Sequence, residues 1–254
     1  MHSAILLEIA VDSEADARSA ASAGANRLEL CSDLAHHGFT PSLDLIRAAA
    51  RIPNITTVAM IRPASVSNSF FNYPRDEWST FMSEAHAALD AGAGGLVFGC
   101  LTPALEIDKA RVRELVNLAA HATPPRETVF HRAFDLTPDP LASAQQLADL
   151  GVTRILTSGL SAARTAADLG SPAPPPSSSP WHRAGDSWDR RLERLATLIR
   201  AVGTRIQILP GGGLRASNAA ELIARTGCTQ VHSSARASTG PFSAEQVLAL
   251  RAAI

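Results

Sequence analysis

Short, mostly apolar runs alternate with longer amphipathic segments along most of the chain. Eight runs can be marked, at residues 5–10, 27–31, 56–61, 95–99, 128–132, 154–157, 205–209 and 230–233. Apolar runs of this length that alternate with helical segments are typical of βαβ units and a parallel sheet. Eight such units predict a (β/α)₈ TIM barrel, with a doubly wound open sheet as the alternative.

Most of the segments between the runs begin with a residue that caps helices. Ser13, followed by Asp16, has the pattern of a capping box. Thr40-Pro41 and Asp139-Pro140 each place a capping residue before a proline at the first helical position. The further start signals are Asp108 before 109–118, Ser217 or Asn218 before 219–225, and Ser243 with Gln246.

Glycines mark the ends of four helices at matching places. Gly24, Gly92, Gly151 and Gly227 each follow a helical pattern and come shortly before the second, fourth, sixth and eighth runs. Glycine supplies the left-handed conformation that ends a helix. The repetition supports eight units within a single domain that covers residues 1–254.

One segment departs from the pattern. Residues 171–180 are rich in Pro and Ser, and residues 181–190 are mixed and polar, before a helix predicted over 191–202. Such a composition buries little, so 171–190 is predicted to be a loop insertion on the surface of the barrel. A loop that follows a strand would lie on the active face, either as a lid or as a tolerated insertion.

Composition narrows the classes of function. The chain has 254 residues, is 46% apolar and carries 23 basic and 24 acidic residues, for a net charge of -1. A balanced charge gives no indication of nucleic-acid binding. The only lysine, Lys109, precedes a helix rather than ending a strand, which argues against Schiff-base chemistry.

The chain also has the features of a cytoplasmic protein. Cys31, Cys100 and Cys228 form neither a disulfide framework nor a CxxC motif. The first apolar run is interrupted by Glu8 and reads as a strand rather than a signal peptide. No stretch approaches the roughly 20 apolar residues that a membrane span needs, so we expect no membrane association.

Candidate chemistry lies at the ends of the runs, which a parallel barrel brings together on one face. Glu8 and Glu29 are carboxylates in apolar strands, where a charge is costly unless it is paired. The two would divide acid and base roles in one cavity. Alternatively they would form an internal ion-pair layer with Arg27, Arg62 or Arg132, and the two interpretations are compatible.

Histidines end the fifth and eighth runs. Alternation points His131 and Arg132 to opposite sides of the sheet, unless the strand is already turning into its loop. His131 with Asp135, and His232 at the eighth strand, are candidates for acid–base roles. The two histidines with Glu8 or Asp135 would also make a set of hard divalent-metal ligands.

The remaining candidates would bind an anion. Gly211-Gly212-Gly213 follows the seventh run and Ser233-Ser234 follows the eighth, where barrels often build a phosphate site from backbone N–H groups and hydroxyls. The alternative for the glycines is a tight turn that needs positive φ. The other residues in this set are Arg62, Arg132, Ser158 and His232.

These segments together resemble the CutC family of copper homeostasis proteins. The matching pieces run in order along nearly the whole chain: LLEIAVDS (6–13), AGANRLELC (23–31), GFTPSLDLI (38–46), IRP (61–63), FNY (71–73), GLVFG (95–99), VFHRAFD (129–135), RILTSG (154–159), LPGGG (209–213) and VHSSAR (231–236). The resemblance implies a TIM barrel, often self-associating, with copper binding or copper handling in the cytosol. Cys31 matches a family cysteine, whereas Ala10 stands where the family commonly has another.

Three hypotheses follow. The resemblance implies a copper-homeostasis protein, with Cys31 as the candidate Cu(I) ligand, because Cu(I) prefers thiolates. The residues themselves point to a barrel enzyme that acts on a small anionic ligand, with or without a phosphate group, through Glu8, Glu29, His131 and Asp135. A third hypothesis is an inactive barrel that presents its surface to partners. The expected partners are a small molecule or a metal ion and further copies of the chain.

Overall fold

The computed structural model describes residues 5–34, 37–65, 71–159, 187–236 and 240–254, and strands alternate with helices throughout these ranges. The strands are β1 (Leu6–Val11), β2 (Arg27–Leu30), β3 (Thr56–Met60), β4 (Gly95–Phe98), β5 (Glu127–Phe130), β6 (Arg154–Thr157), β7 (Gln207–Pro210) and β8 (Gln230–Ser233). The helices are α1 (Glu14–Ser22), α2 (Leu43–Ala49), α3 (Trp78–Asp90), α4 (Lys109–His121), α5 (Pro140–Asp149), α6 (Trp188–Val202), α7 (Ala216–Thr226) and α8 (Ala244–Ala253).

The strands form one parallel sheet that is nearly closed. Its order is β7-β6-β5-β4-β3-β2-β1-β8, so neighbours along the chain are neighbours in the sheet. The two end strands are linked through side chains, since Gln230 Nε2 of β8 donates a hydrogen bond to Gln207 Oε1 of β7 over 3.2 Å. The predicted (β/α)₈ barrel is confirmed, and the open-sheet alternative is wrong.

Several predicted helix ends are confirmed at the level of single hydrogen bonds. The side chains of Ser13, Asp108, Asp139 and Ser243 each accept a bond from a backbone N–H in the first turn of their helix. Pro140 occupies the first turn of α5 as expected. The four glycines all adopt positive φ, between 70° at Gly227 and 101° at Gly92.

Two predicted helix starts are wrong. Helix α2 is capped by Ser42, since Thr40 Oγ1 instead accepts the backbone N–H of Arg62 at the end of β3. Helix α7 begins at Ala216 rather than after Ser217 or Asn218. Asn218 still has a capping role from inside the helix, where its Oδ1 accepts the Arg215 N–H over 2.9 Å.

The segment predicted as the loop insertion 171–190 lies largely outside the described residues. Of its residues, 187–190 are described, and there the prediction is wrong at its boundary: Ser187 caps α6, so the helix begins at Trp188 and not at residue 191. The Ser187 hydroxyl accepts the Arg190 N–H, which supplies the start signal.

The barrel interior has an apolar side and a polar side. The apolar side is a buried cluster drawn mainly from β3 to β7: Cys31, Val58, Met60, Val97, Val129, Leu156 and Leu209. The polar side comes mainly from β8, β1 and β2, whose buried side chains include Gln230, His232, Glu8, Arg27 and Glu29, and β6 adds the buried Arg154. Among the described residues, no helix has the length and apolarity that crossing a membrane requires.

Candidate active site at the carboxyl ends of the strands

Glu8 is fixed inside the barrel by two neighbours on adjacent strands. The register places Glu8 opposite Arg27 on one side and His232 on the other. Its carboxylate accepts a hydrogen bond from Arg27 Nε and lies 2.7 Å from His232 Nδ1. Burial opposes ionisation of Glu8, but the charges of Arg27 and His232 outweigh it and lower its pKa to about 2.

Arg27 is itself held by a polar chain that extends toward the amino ends of the strands. Its Nη2 donates to Gln230 Oε1 over 2.9 Å, and Gln230 in turn donates to Gln207. Arg154 Nε also donates to Gln207 Oε1, over 3.0 Å. Glu8 thus forms an internal ion pair with Arg27, which is one of the two interpretations that the sequence allows. The same pair orients Glu8 toward His232.

Glu29 has the opposite character. Its Oε2 lies 3.7 Å from His232 Nε2, and its Oε1 accepts no hydrogen bond from any described residue. Burial, assisted by the charge of Glu8 and opposed by that of His232, raises the pKa of Glu29 to about 7. A carboxyl group that titrates near neutrality can both donate and accept a proton.

His232 bridges the two carboxylates. Burial lowers its pKa, but the charges of Glu29 and Glu8 act in the other direction and the net effect is an increase. Its side chain keeps about 10% of its surface exposed, whereas that of Glu29 keeps 4%. His232 thus shares a hydrogen bond with Glu8 and lies within ion-pair distance of Glu29, and we call these three residues the acid–base group.

His131 lies in a different environment. Strand β5 ends at Phe130, so His131 has left the alternation of the strand and precedes the 3₁₀ turn Arg132–Leu136. Its Nδ1 accepts the Ala133 N–H over 3.0 Å, and its buried Nε2 has no hydrogen-bond partner in the described part of the chain. Burial and the charges of Arg62 and Arg132 lower its pKa to about 3.

A neutral ring with Nδ1 as acceptor must carry its proton on Nε2. His131 is therefore arranged as a hydrogen-bond donor rather than as a base. Its ring packs edge-on against Phe71, with centroids 4.7 Å apart. Gly99 makes this position possible, since a Cβ there would lie 2.2 Å from a ring carbon of His131.

Asp135 ties the ends of β5 and β6 together. Its carboxylate accepts the Ser158 N–H over 3.1 Å, the Ser158 hydroxyl over 2.6 Å and the Thr157 hydroxyl. Arg132 Nε donates to it over 3.1 Å. Four donors leave Asp135 as an anchor for Arg132 and Ser158, which is a supporting role rather than that of an exposed base.

The glycine loop, residues 211–213, follows β7 and lies between His232 of the acid–base group and Ser158, which Asp135 holds. A Cβ at Gly211 would lie 3.2 Å from His232, and its N–H donates to the Thr157 carbonyl over 2.9 Å. Gly212 and Gly213 both adopt positive φ, at 77° and 79°. The turn that needs glycine is present, and it brings the loop next to His232.

The two serines at the end of β8 differ in burial. Ser233 is buried, where its hydroxyl donates to the Leu214 carbonyl over 3.3 Å and accepts the Ala235 N–H over 3.1 Å. Ser234 is half-buried beside it. Ser233 therefore stabilises the loop between β8 and α8, and the anion-binding role predicted for both serines stays a prediction.

Arg62 follows β3 and lies beneath two aromatic rings. Its guanidinium lies 4.7 Å from the ring centroid of Phe39 and 5.6 Å from that of Phe71, and its Nη1 donates to the Gly38 carbonyl. Desolvation lowers the pKa of Arg62. Because Phe71 also contacts His131, the two predicted residues share one aromatic pocket.

The structure adds a residue that the sequence interpretation missed. Arg191 of α6 is only 8% exposed, and its Nη2 donates to the Gly211 carbonyl. It stands among Leu192, Leu195 and Ala196, which are buried on the same helix. A single charged residue within the apolar stripe of a helix is a signal that could have identified it.

No group of three or more His, Cys, Asp or Glu side chains in the described residues is arranged to hold a metal ion. His131 and His232 belong to separate groups, so the divalent-metal set suggested by the sequence does not assemble around the two histidines. Cys31 is fully buried, and burial together with the charge of Glu29 raises the pKa of its thiol.

The fold and this geometry define a single-sheet (β/α)₈ barrel whose titratable groups meet at the carboxyl ends of its strands. Comparison with known proteins makes the assignment specific. The CutC family model matches residues 5–169 and 184–237, and the chain belongs to the CutC family. A CutC family protein of Treponema denticola is 36% identical over 90% of this chain and 80% of its own length. One of Vibrio vulnificus is 37% identical over 92% and 82%.

Solved structures agree with the fold. The putative copper homeostasis protein CutC from Streptococcus agalactiae superposes with a TM-score of 0.74 at 28% identity, covering 91% of this chain and 98% of that one. The 3-hexulose-6-phosphate synthase from Salmonella typhimurium gives a TM-score of 0.59 at 14% identity, covering 98% of each chain. At that identity the second likeness shows the barrel architecture alone.

Proposed function

We propose that this chain is a barrel enzyme that transfers a proton on a small anionic substrate, with Glu29 as the group that takes and returns the proton. The proposal is carried by two properties of Glu29. Its Oε1 accepts no hydrogen bond from a described residue, and its pKa is raised to about 7. Evolved proton-transfer sites have pKa values near the working pH.

The neighbours of Glu29 have complementary roles. Glu8 stays ionised and holds His232, so that His232 presents Nε2 toward Glu29. His232 is placed to stabilise the Glu29 carboxylate once Glu29 has lost its proton. His131, with its proton on Nε2, would donate a hydrogen bond to an oxygen of the substrate on which negative charge develops.

The experiment is solvent exchange, because it needs no knowledge of the product. The protein is incubated in D₂O with a panel of sugar phosphates and small hydroxy and keto acids, and loss of carbon-bound proton signals is followed by NMR. We expect exchange at a carbon next to a carbonyl of at least one compound, and a loss of about 100-fold or more in Glu29→Gln.

Glu245→Gln is the matched control, because Glu245 is an exposed glutamate in the first turn of α8. It should exchange at the wild-type rate. Absence of exchange with every compound, or equal exchange in wild type and Glu29→Gln, would contradict the proposal.

We propose copper homeostasis as the cellular context of this chain, by analogy with the CutC protein of Streptococcus agalactiae, which is named for that role. Direct Cu(I) binding is less well supported. Ala10 stands where the resemblance places a second cysteine. On the apolar side of the barrel interior, the soft donors are Cys31 and Met60. The Cys31 thiol resists ionisation because burial and the charge of Glu29 raise its pKa. These residues do not fit a two-thiolate Cu(I) site.

We therefore expect the Cys31→Ala variant to compete with a chelator for Cu(I) as well as the wild-type protein does. Cys228→Ala is the control, since Cys228 precedes β8 at the opposite end of the barrel. Loss of competition in Cys31→Ala alone would restore Cys31 as a copper ligand.

A further inference from the structure

We propose that Arg191 and Arg132 bind a phosphate group over the Gly212–Gly213 turn, so that the substrate of the proposed enzyme is a phosphomonoester. This inference deepens the proposed function and rests on it for the word substrate. The binding site itself stands on its own geometry, and Arg191 was not among the residues predicted from the sequence.

Arg191 is the first observation. It is more than nine-tenths buried, its Nη2 donates to the Gly211 carbonyl, and its Nε has no hydrogen-bond partner among the described residues. A buried guanidinium with an unused donor is costly unless an acceptor completes it. Its Nη1 faces the glycine turn, where a Cβ at Gly213 would lie 3.8 Å from it.

Arg132 reaches the same turn from the other side. A Cβ at Gly212 would lie 3.4 Å from its Cζ and 3.5 Å from its Nη1. Asp135 holds Arg132 in place by accepting a hydrogen bond from its Nε. Two guanidinium groups from different elements thus border one pair of glycines.

The backbone of the turn adds donors. Gly212 and Gly213 are without side chains and have left-handed φ, a conformation that other residues adopt only with strain. Neither N–H is used in a hydrogen bond with another residue in the described ranges. Backbone N–H groups at a glycine turn of this kind commonly contact phosphate oxygens.

Charge favours a dianion. Two guanidinium groups border the turn, and within the described ranges Asp135 is a carboxylate that acts on both of them. Burial and the charge of Arg132, opposed by the charge of Asp135, lower the pKa of Arg191 to about 10. A phosphomonoester carries nearly two negative charges at neutral pH and offers three acceptor oxygens.

The position suits the acid–base group. Gly211 adjoins His232 on one side and accepts from Arg191 on the other. A phosphate held at Gly212 and Gly213 would place the rest of a small molecule beside His232 and Glu29. A carboxylate has two acceptor oxygens and one charge, so it would leave part of this donor set unused.

The test uses the full chain and inorganic phosphate, with binding measured by isothermal titration calorimetry at constant ionic strength. We expect saturable binding of phosphate, with acetate a far weaker competitor. Arg191→Gln should weaken binding by at least about tenfold, as expected for a lost charge-assisted hydrogen bond. The matched control is Arg190→Gln, the exposed neighbour on the same helix, which should bind normally.

A second measurement does not depend on the fold of a variant. In the unaltered protein, phosphate should shift the backbone amide NMR signals of Gly212 and Gly213, whereas chloride should not. If Arg191→Gln loses its near-ultraviolet circular dichroism, Arg191→Lys replaces it, and the weaker fork of lysine should still reduce affinity. No saturable binding by wild type, unshifted glycine amides, or equal loss in Arg190→Gln would overturn the inference.

The two proposals fail separately. Glu29→Gln should bind phosphate as wild type does, because Glu29 does not contact the glycine turn. Phosphate binding without any solvent exchange would overturn proton transfer and leave the phosphate site intact. Exchange that persists in the absence of phosphate binding would overturn the phosphate site alone.

Discussion

Glu8 and Glu29 carry the same functional group on adjacent strands, yet their surroundings move their pKa values in opposite directions. Glu8 receives a guanidinium and an imidazole, and its pKa is lowered. Glu29 receives burial and the repulsion of Glu8, and its pKa is raised. Two carboxyl groups separated in this way can divide ionised and protonated roles at one pH.

Removing the charge of Glu8 should show how much this residue stabilises the folded protein. Glu8→Gln leaves the buried Arg27 without its carboxylate, and we expect a loss of about 3–5 kcal/mol in the free energy of unfolding at pH 7. Urea denaturation measures it. Glu14→Gln is the control, because Glu14 pairs with Arg18 at the surface, and it should cost less than about 0.5 kcal/mol.

The pH dependence of that difference has a definite sign. Because the pKa of Glu8 falls from 4.5 to about 2 on folding, its stabilising contribution is complete above 4.5 and is lost as pH falls toward 2. The gap between wild type and Glu8→Gln should therefore narrow on acidification. A gap that stays constant down to pH 2 would show that the ion pair is not its origin.

The sequence pattern indicated which residues are charges in apolar strands, but it did not indicate their protonation states. Both glutamates and Arg27 were visible as charges in apolar strands. His232 contributes to both pKa values, and it lies on the last strand and reaches both carboxylates only through closure of the sheet. A shift that depends on a neighbour so distant in the chain cannot be read from local pattern.

At the scale of elements, the end of each strand decides what its last side chains can do. Strand β5 stops one residue before His131, so His131 and Arg132 are not bound to opposite faces. The run predicted over 128–132 extends two residues beyond β5, although the His131 N–H still donates to the Phe98 carbonyl over 2.7 Å. The same limit explains the cap of α2, where Thr40 is used by the end of β3.

Gly99 gives an element-scale prediction. Gly99→Ala would place a methyl group within the volume of the His131 ring, and we expect a loss of about 1–3 kcal/mol in the free energy of unfolding with a displaced His131. Thermal or urea unfolding measures the loss, and imidazole NMR signals report the ring.

Gly227→Ala is the matched control, since the Cβ there would meet nothing within 4 Å and only its φ of 70° is unfavourable. It should cost about 1 kcal/mol through backbone strain and leave the His131 signals unchanged. Equal shifts of the His131 signals in both variants would argue against direct packing of Gly99 on the ring.

On the scale of the whole molecule, the barrel brings buried polar side chains of β8, β1 and β2 together beside a buried apolar cluster. Strand count and the convergence of the strand ends could be predicted, because period and glycine punctuation repeat along the chain. The contribution of Arg191 could not, because it depends on how α6 packs over the glycine turn after β7.

The most direct test of the account is the titration of Glu29 in the folded protein. Carboxyl ¹³C NMR of protein labelled at glutamate should show one group with a pKa of about 7 that disappears in Glu29→Gln, since burial and Glu8 raise it. His232 should titrate above its ordinary pKa in the same experiment. If every glutamate titrates near 4.5 or below and Glu29→Gln removes an ordinary signal, the acid–base group does not exist as described.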